Sequence, residues 1–304
     1  MKQKRNINGI INIYKEAGYT SFDVVAKMRG ITGQRKIGHT GTLDPDATGV
    51  LPVVLGNATK LVDILTDKEK EYVAGFLLGK TTDTQDISGT VLTEVEVMCT
   101  EEEVLGAINS FLGDIMQVPP MYSALKVDGK RLYELAREGK TVERKSRPVT
   151  IISISDINID LPNVSMRVRC SKGTYIRTLC NDIGEKLGCG AVMTSLERTA
   201  SGQHDLSTAL TLSELQTMRD QGRLEEAIIP VDSIFAEYGA VRLSGELLRL
   251  ALNGNMLEKE ALLAHITEDG NRNKLRVYND EGEFFALYEK SGKRYKVDKM
   301  FPCE

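Results

Sequence analysis

The feature that most narrows the folds open to this chain is the stretch Gly38-His39-Thr40-Gly41-Thr42-Leu43-Asp44-Pro45-Asp46-Ala47-Thr48-Gly49. Its three glycines and Asp-Pro step disfavour a regular helix or strand, since glycine weakens both and proline removes a backbone donor. Upstream, Thr20-Ser21-Phe22-Asp23 opens a helix of the capping-box kind that runs to about Gly30. Downstream, Leu51 to Leu55 is apolar. The segment from Gln34 to Lys60 is therefore a long ordered loop returning into a strand, and loops so densely specified carry function more often than packing.

Around this loop the chain reads as short strands and helices. Asn8 to Lys15, rich in Ile, is predicted as a buried strand, and Glu71 to Leu78 and Gly89 to Val97 as strands about the turn Asp83 to Gly89. Thr100 with Glu103 caps a helix to about Leu112. Pro119-Pro120 excludes a central strand, so Met116 to Val127 is a loop or edge, ahead of a short amphipathic helix at Arg131 to Glu138. Val149 to Ile159 and Val164 to Ser171 read as strands, Thr174 to Leu187 as a helix closed by Gly188. Ala191 to Ser201 is a further strand and Leu212 to Asp220 a further helix. Past about Glu237 short strands with Gly turns, at Lys274 to Tyr278, Glu283 to Tyr288 and Lys293 to Val297, predict a small β-rich second domain. The 304 residues suit two domains of about 150 residues each.

Composition excludes several classes. With 39 Lys and Arg against 43 Asp and Glu the net charge is −4, so the chain is no uniformly basic nucleic-acid coat. The five cysteines, at 99, 170, 180, 189 and 303, form no C-x-x-C pair, which speaks against a disulfide framework or structural zinc and for a reducing cytoplasm. No apolar run reaches the roughly 18 residues that span a bilayer, and Asn6 to Lys15 is too polar for a secretion signal. Gly79-Lys80-Thr81 mimics a phosphate loop, but the earlier glycine such a loop needs would fall on Ala74.

A second constellation is Cys170-Ser171-Lys172-Gly173-Thr174-Tyr175-Ile176-Arg177, where a strand turns into a helix whose first turn offers amide donors beside two cations. Arg177 there suits pairing with a buried catalytic Asp, which it would keep ionised; the alternative is an ordinary surface salt bridge. Charge is also segregated. Residues 126–147 hold eight cations against four acids, and residues 166–177 four cations and no acid. Interleaved with Tyr122, Tyr133 and Tyr175, these segments suit RNA, whose phosphates attract cations and whose unstacked bases attract aromatic rings.

At these motifs the sequence resembles the bacterial tRNA pseudouridine synthase B family. The resemblance runs through Gly38 to Lys60, Lys70 to Gly89, Pro120 to Gly139 and Cys170 to Gly190, in that order, and more weakly through the residues after Glu237. It implies a mixed α/β (α+β) pseudouridine synthase fold with a central, mostly antiparallel sheet in residues 1–236. It also implies a thumb-like RNA-binding insertion at about 117–147 and a PUA-like β-barrel in residues 237–304. It implies isomerisation of the uridine conventionally numbered 55 in the T loop of tRNA, by a cytoplasmic monomer with no cofactor, metal, membrane or protein partner. Carried over, the nucleophile falls on Asp44, the active-site arginine on Arg177, and the tyrosine that stacks on the base and helps remove its proton on Tyr72. Substrate contacts fall on His39, Tyr175 and Leu196, and a polar position near the base on Asp86. Two departures stand out: Glu197-Arg198 where two arginines are usual, and His204 in place of an aromatic, which bear on RNA contacts there.

The chemistry fits these residue types. Isomerisation breaks the N1 glycosidic bond, rotates the uracil and joins C5 to the same sugar carbon, which calls for a nucleophilic or basic carboxylate and no redox partner. The base must first leave its stack for an apolar and aromatic pocket, at a cost of a few kcal/mol. The residues leave three routes open: Asp44 adds to the base, adds to the sugar, or abstracts the 2′ proton. Two other readings use the same basic segments: a tRNA-folding chaperone without catalysis, and a subunit working with guide RNA. The second is disfavoured by the lack of long basic extensions.

Overall fold

The computed structural model describes residues 7–127 and 129–302; Asn6, Asp128 and Cys303, counted or named above, lie outside the described residues. In chain order the first part comprises β1 (Gly9–Lys15), α1 (Ser21–Thr32), β2 (Ile37–His39), β3 (Thr48–Leu55), α2 (Val62–Thr66), β4 (Lys70–Leu78), β5 (Lys80–Thr82), β6 (Val91–Glu94), α3 (Glu101–Asn109) and β7 (Gly113–Gln117). It continues with β8 (Lys126–Val127), β9 (Lys130–Arg131), α4 (Leu132–Arg137), β10 (Arg147–Asp160), β11 (Asn163–Cys170), α5 (Ile176–Lys186), β12 (Ala191–Ser201), β13 (His204–Asp205) and α6 (Leu212–Asp220). Then follow β14 (Tyr238–Arg242), α7 (Gly245–Leu252), β15 (Leu257–Glu258), α8 (Lys259–Leu263), β16 (Ile266–Glu268), β17 (Asn271–Tyr278), β18 (Phe284–Ser291) and β19 (Arg294–Met300).

The expected capping boxes form: Thr20 with Asp23 opens α1, and Thr100 with Glu103 opens α3. The predicted long loop is shorter than expected, because β2 pairs with β3 and leaves residues 34–36 and 40–47 irregular. The main sheet runs β1-β3-β12-β4-β11-β10-β7, with β2 beside β3 and β13 beside β12. It is antiparallel throughout except where β12 meets β3. Along β4 every second residue is buried, and Tyr72, Ala74, Phe76 and Leu78 pack against Val104 and Ile108 of α3 and Leu179 and Ile183 of α5. By contrast β3 is buried almost end to end, as a strand covered on both faces must be. One face meets α1 and α6 through Leu51, Val53, Met28 and Leu215; the other meets Phe235, Leu287 and Phe301.

That second cover comes from a six-stranded sheet of order β15-β19-β18-β17-β14-β16. Its core of Val241, Leu275, Phe285, Tyr288 and Tyr295 takes in Ala251 of α7. The sheet is a curled half-barrel, consistent with the PUA-like β-barrel expected, with the short strands β15 and β16 at its two ends. It is tied to the first part by Tyr278 Oη donating to Asp232 at 2.7 Å and by Lys60 Nζ donating to the Met300 carbonyl at 2.7 Å.

The parallel step between β12 and β3 decides where the irregular loop ends. It sets Arg198 opposite Gly49, whose φ is +101°. A Cβ at Gly49 would lie 2.2 Å from the Arg198 carbonyl oxygen, so both conformation and space demand glycine there. Gly49→Ala is expected to cost at least about 2 kcal/mol. Gly188→Ala, also at positive φ but with no atom within 4 Å of the new carbon, is expected to cost about 1 kcal/mol. Denaturant midpoints of the two variants check the difference, and equal losses would refute the steric argument.

Candidate active site

Residues 40–47 are held from beneath by a fully buried lysine at the end of β1. Lys15 Nζ donates to the Pro45 carbonyl at 2.9 Å and to the Glu16 carbonyl at 3.1 Å, and burial pushes its ammonium down to about 8. Gly18 N–H also donates to Pro45, at 3.0 Å. The N-terminus of α1 supplies a third tie, Leu43 N–H donating to Ser21 Oγ at 2.9 Å. Asp44 thus stands on a loop fixed on both sides.

Its carboxylate faces Arg177, in the first turn of α5. Arg177 Nε lies 3.1 Å from Asp44 Oδ2, and Nη2 donates to Asp44 Oδ1 at 3.4 Å. Nη2 also donates to the Tyr122 carbonyl at 2.8 Å, while Nη1 donates to the Thr84 carbonyl at 3.0 Å and Asp86 Oδ2 at 3.1 Å. The arginine side chain is 6 % exposed, whereas that of Asp44 is 41 % exposed and open on one side. The dense loop around Asp44 raises its carboxyl above the ordinary value, against the opposing pull of Arg177.

The other expected residues fall around this pair. Tyr72, on β4, is buried; burial raises its phenol, with the Arg198 guanidinium opposing. Leu196, on β12 opposite Ala74, packs on the cluster that includes Leu43, Ala47, Tyr72 and Ile176, giving the site an apolar floor. Tyr175 caps α5 through its backbone: its N–H donates to Gln117 Oε1 at 2.8 Å, and Gln117 Nε2 returns a bond to its carbonyl at 3.0 Å. His39 ends β2; burial, with Arg198 nearby, lowers its pKa, and its buried Nδ1 has no hydrogen-bond partner among the described residues. Asp86 lies behind Arg177, held by Thr84 Oγ1 at 2.8 Å and Ser88 N–H at 3.1 Å, so its contact is with the arginine.

Two participants, Gln117 and Lys15, are absent from the sequence reading, and Arg198 appears there only in connection with RNA contacts; all three reach backbone carbonyls distant in the chain, and Lys15, a charge ending an apolar strand, carries a local trace. The departures also resolve. Glu197 accepts a bond from Tyr14 Oη at 2.9 Å, Arg198 is buried, and His204 is buried against Ser201 in the β12–β13 turn.

The basic segments separate into two kinds. In residues 166–177 every cation has an acid: Arg167 pairs with Glu71 at 2.8 Å and Asp156 at 2.6 Å, Arg169 with Glu69 at 2.6 Å, Lys172 with Asp67, and Arg177 as above. This corrects the expectation of a free basic surface there. In residues 126–147, Lys126, Arg137, Lys145 and Arg147 have no ion pair among the described residues, and Arg131 and Arg137 flank the Tyr133 ring at 5.8 and 5.5 Å. Tyr133 is thereby occupied by cations rather than left as an open platform. Among the described residues no group of three or more His, Cys, Asp or Glu is arranged to hold a metal, and no helix is long and apolar enough to cross a membrane.

Asp86 raises the Asp44 carboxyl by repulsion and shares its arginine. Asp44 is therefore expected to titrate above the ordinary midpoint of about 4, and Asp86→Asn to move that midpoint down. Carboxyl ¹³C shifts followed against pH, assigned with Asp44→Asn, check this; an unmoved midpoint would mean that the Asp86 charge does not reach Asp44.

Comparison with known proteins agrees with this geometry. Residues 29–176 match the model of the TruB family pseudouridylate synthase N-terminal domain, and residues 177–236 that of the tRNA pseudouridylate synthase B C-terminal domain. The chain is 48 % identical over 295 residues to a tRNA pseudouridine synthase B of Clostridium novyi, covering 97 % of this chain and 99 % of that one. It is also 48 % identical over 306 residues to one of Lachnoclostridium phytofermentans, covering 97 % and 100 %. Among solved structures, an H/ACA RNP bound to a substrate RNA containing 2′-deoxyuridine matches with a TM-score of 0.70 at 27 % identity, over 97 % of this chain and 85 % of that one. A Cbf5-Nop10-Gar1 complex matches with a TM-score of 0.70 at 28 % identity, over the same shares.

Proposed function

Since the chain belongs to the TruB family of pseudouridylate synthases and is a tRNA pseudouridine synthase, we propose that it isomerises uridine 55 of the tRNA T loop with Asp44 as nucleophile. The observation that carries this reading is the Asp44 carboxylate, open on one side and gripped by the Arg177 fork above a floor of Leu43, Tyr72 and Leu196. In this reading the flipped uracil stacks on Tyr72 over that floor, and His39 and Tyr175 hold the vacated loop. The pinned carboxylate meets the nucleotide without reorganisation, which is where a preorganised site gains most. The N1–C1′ bond breaks, the ring turns, and C5 bonds to C1′; the C5 proton leaves, with Tyr72 assisting, and N1 gains one, so composition is unchanged.

The same reading divides the chain into a catalytic domain, residues 1–236, with a thumb-like RNA-binding insertion at about 117–147, and a PUA-like domain, residues 237–304. It describes a cofactor-independent, cytoplasmic monomer acting on the T stem-loop of tRNA. Support for a stand-alone enzyme comes from the curated relatives, which match over 99 to 100 % of their own length at 44 to 48 % identity, well above the 27 and 28 % to the ribonucleoprotein structures.

A T-arm hairpin tritiated at uridine C5 is expected to release tritium with the intact protein, and Asp44→Asn to abolish release while still binding the hairpin. No release by the intact protein, or undiminished release by Asp44→Asn, would sink the proposal. Release that persists when position 55 is cytidine would sink the assignment of the site. Affinity for the hairpin should also fall steeply with salt. Lys145→Gln is expected to lower the slope of log affinity against log salt by about one, while Arg169→Gln, paired to Glu69, leaves it nearly unchanged. Equal slopes for the two variants would contradict the division of the basic segments.

A further inference from the structure

Arg198 has no role in that reading, yet it is the bulkiest of the fully buried side chains, 1 % exposed. Its Nε donates to the Val50 carbonyl at 2.7 Å and its Nη2 to the Gly41 carbonyl at 3.2 Å, and among the described residues no carboxylate pairs with it. Those two carbonyls bracket the loop that carries Asp44. On its other side, β12 places Arg198 opposite Tyr72 of β4, and residues so opposed share one face of a sheet. The guanidinium charge there opposes the rise that burial gives the Tyr72 phenol. A guanidinium stays charged at any pH the protein meets, and burying one without a carboxylate costs several kcal/mol. A surface position or an apolar residue would avoid that cost, so the charge is held there against stability.

We infer that Arg198 is a positioning residue that ties both ends of the Asp44 loop and the hydroxyl of Tyr72 to one buried cation, setting carboxylate and stacking ring in register before RNA arrives. Its catalytic consequence rests on the function proposed above; the contact itself does not. A planar fork serves this better than an ammonium, because its Nε and Nη2 each reach a different carbonyl.

The test compares full-length wild type, Arg198→Lys, Arg198→Gln and the core truncation Ile13→Val in single-turnover tritium release and hairpin affinity. A second set carries 3-fluorotyrosine at position 72, whose phenol titrates lower than tyrosine's and is read by ¹⁹F NMR. Arg198→Gln is expected to lower the single-turnover rate at least about 100-fold with hairpin affinity unchanged. Arg198→Lys should recover about a tenth of the wild-type rate, since it keeps the charge and loses the fork. The fluorotyrosine midpoint should move up in Arg198→Gln and stay near wild type in Arg198→Lys, because a nearby cation favours the phenolate. Asp44 and Cys170, the other titratable groups facing Tyr72, are the same in all four proteins. A wild-type rate in Arg198→Gln overturns the inference, as does a loss of rate matched by Ile13→Val together with an unmoved fluorotyrosine. Should the wild type itself release no tritium, the functional reading falls and the fluorotyrosine decides alone: equal midpoints in wild type and Arg198→Gln overturn the contact.

Discussion

A buried guanidinium needs an oxygen at every nitrogen, and the way Arg177 meets that need determines the rest of the site. Its partners come from three separate places: Asp44 on the loop before β3, Thr84 and Asp86 in the turn between β5 and β6, and Tyr122 in the segment after β7. A charge this buried costs several kcal/mol if any of these is missing, so the three segments must converge for the core to close. The arginine also sits in the first turn of α5, where the helix dipole disfavours a cation. Two carboxylates around it offset both penalties, and one of them, Asp44, is left with an open face.

Local signals in the sequence led correctly to local structure. The capping boxes at Thr20 and Thr100 and the bounds of Ala191–Ser201 and Leu212–Asp220 depend on neighbours in the chain, and each was readable. Asp44, Tyr72 and Arg177 were legible because each lies in a motif, although their convergence depends on sheet order that no local pattern encodes. The parallel pairing of β12 with β3 joins residues 149 apart, and it sets Gly49 opposite Arg198. Near the C-terminus β14, α7 and α8 were missed. Ser244 makes no side-chain bond to open α7, and α8 is five residues long, so neither helix carries the start signal that marked the others.

Summed charge and segment charge both mislead until acids are placed in space. The cations of residues 166–172 looked free because their partners, Asp67, Glu69, Glu71 and Asp156, lie outside the segment and reach it across the β4–β11 and β10–β11 pairs. Such exposed pairs contribute little stability, about 0–1 kcal/mol each, but they cancel field. Lys126, Arg137, Lys145 and Arg147 have no such ion pair among the described residues, so their charge is not cancelled in this way. A chain of net charge −4 can attract a polyanion in this way, since a phosphate responds to charge within about 8–10 Å rather than to the total.

The same reasoning explains an odd property of the interior. Lys15, Lys70 and Arg198 are all buried, and each donates to backbone carbonyls instead of a carboxylate. Burial pushes both lysines down to about 8, a cost that acidic partners would have relieved. Yet a carboxylate brought to Lys15 or Arg198 would also lie close to Asp44, and its repulsion would raise the Asp44 carboxyl further and favour the protonated, inert form. Asp86 can stand near only because Arg177 lies between the two. Satisfying the remaining cations with neutral carbonyls keeps their charge available to Asp44: Lys15 lowers its carboxyl while taking none of its oxygens as partners. The ionised form of Asp44 is thus favoured by Lys15, which is bonded elsewhere, as well as by the directly paired Arg177.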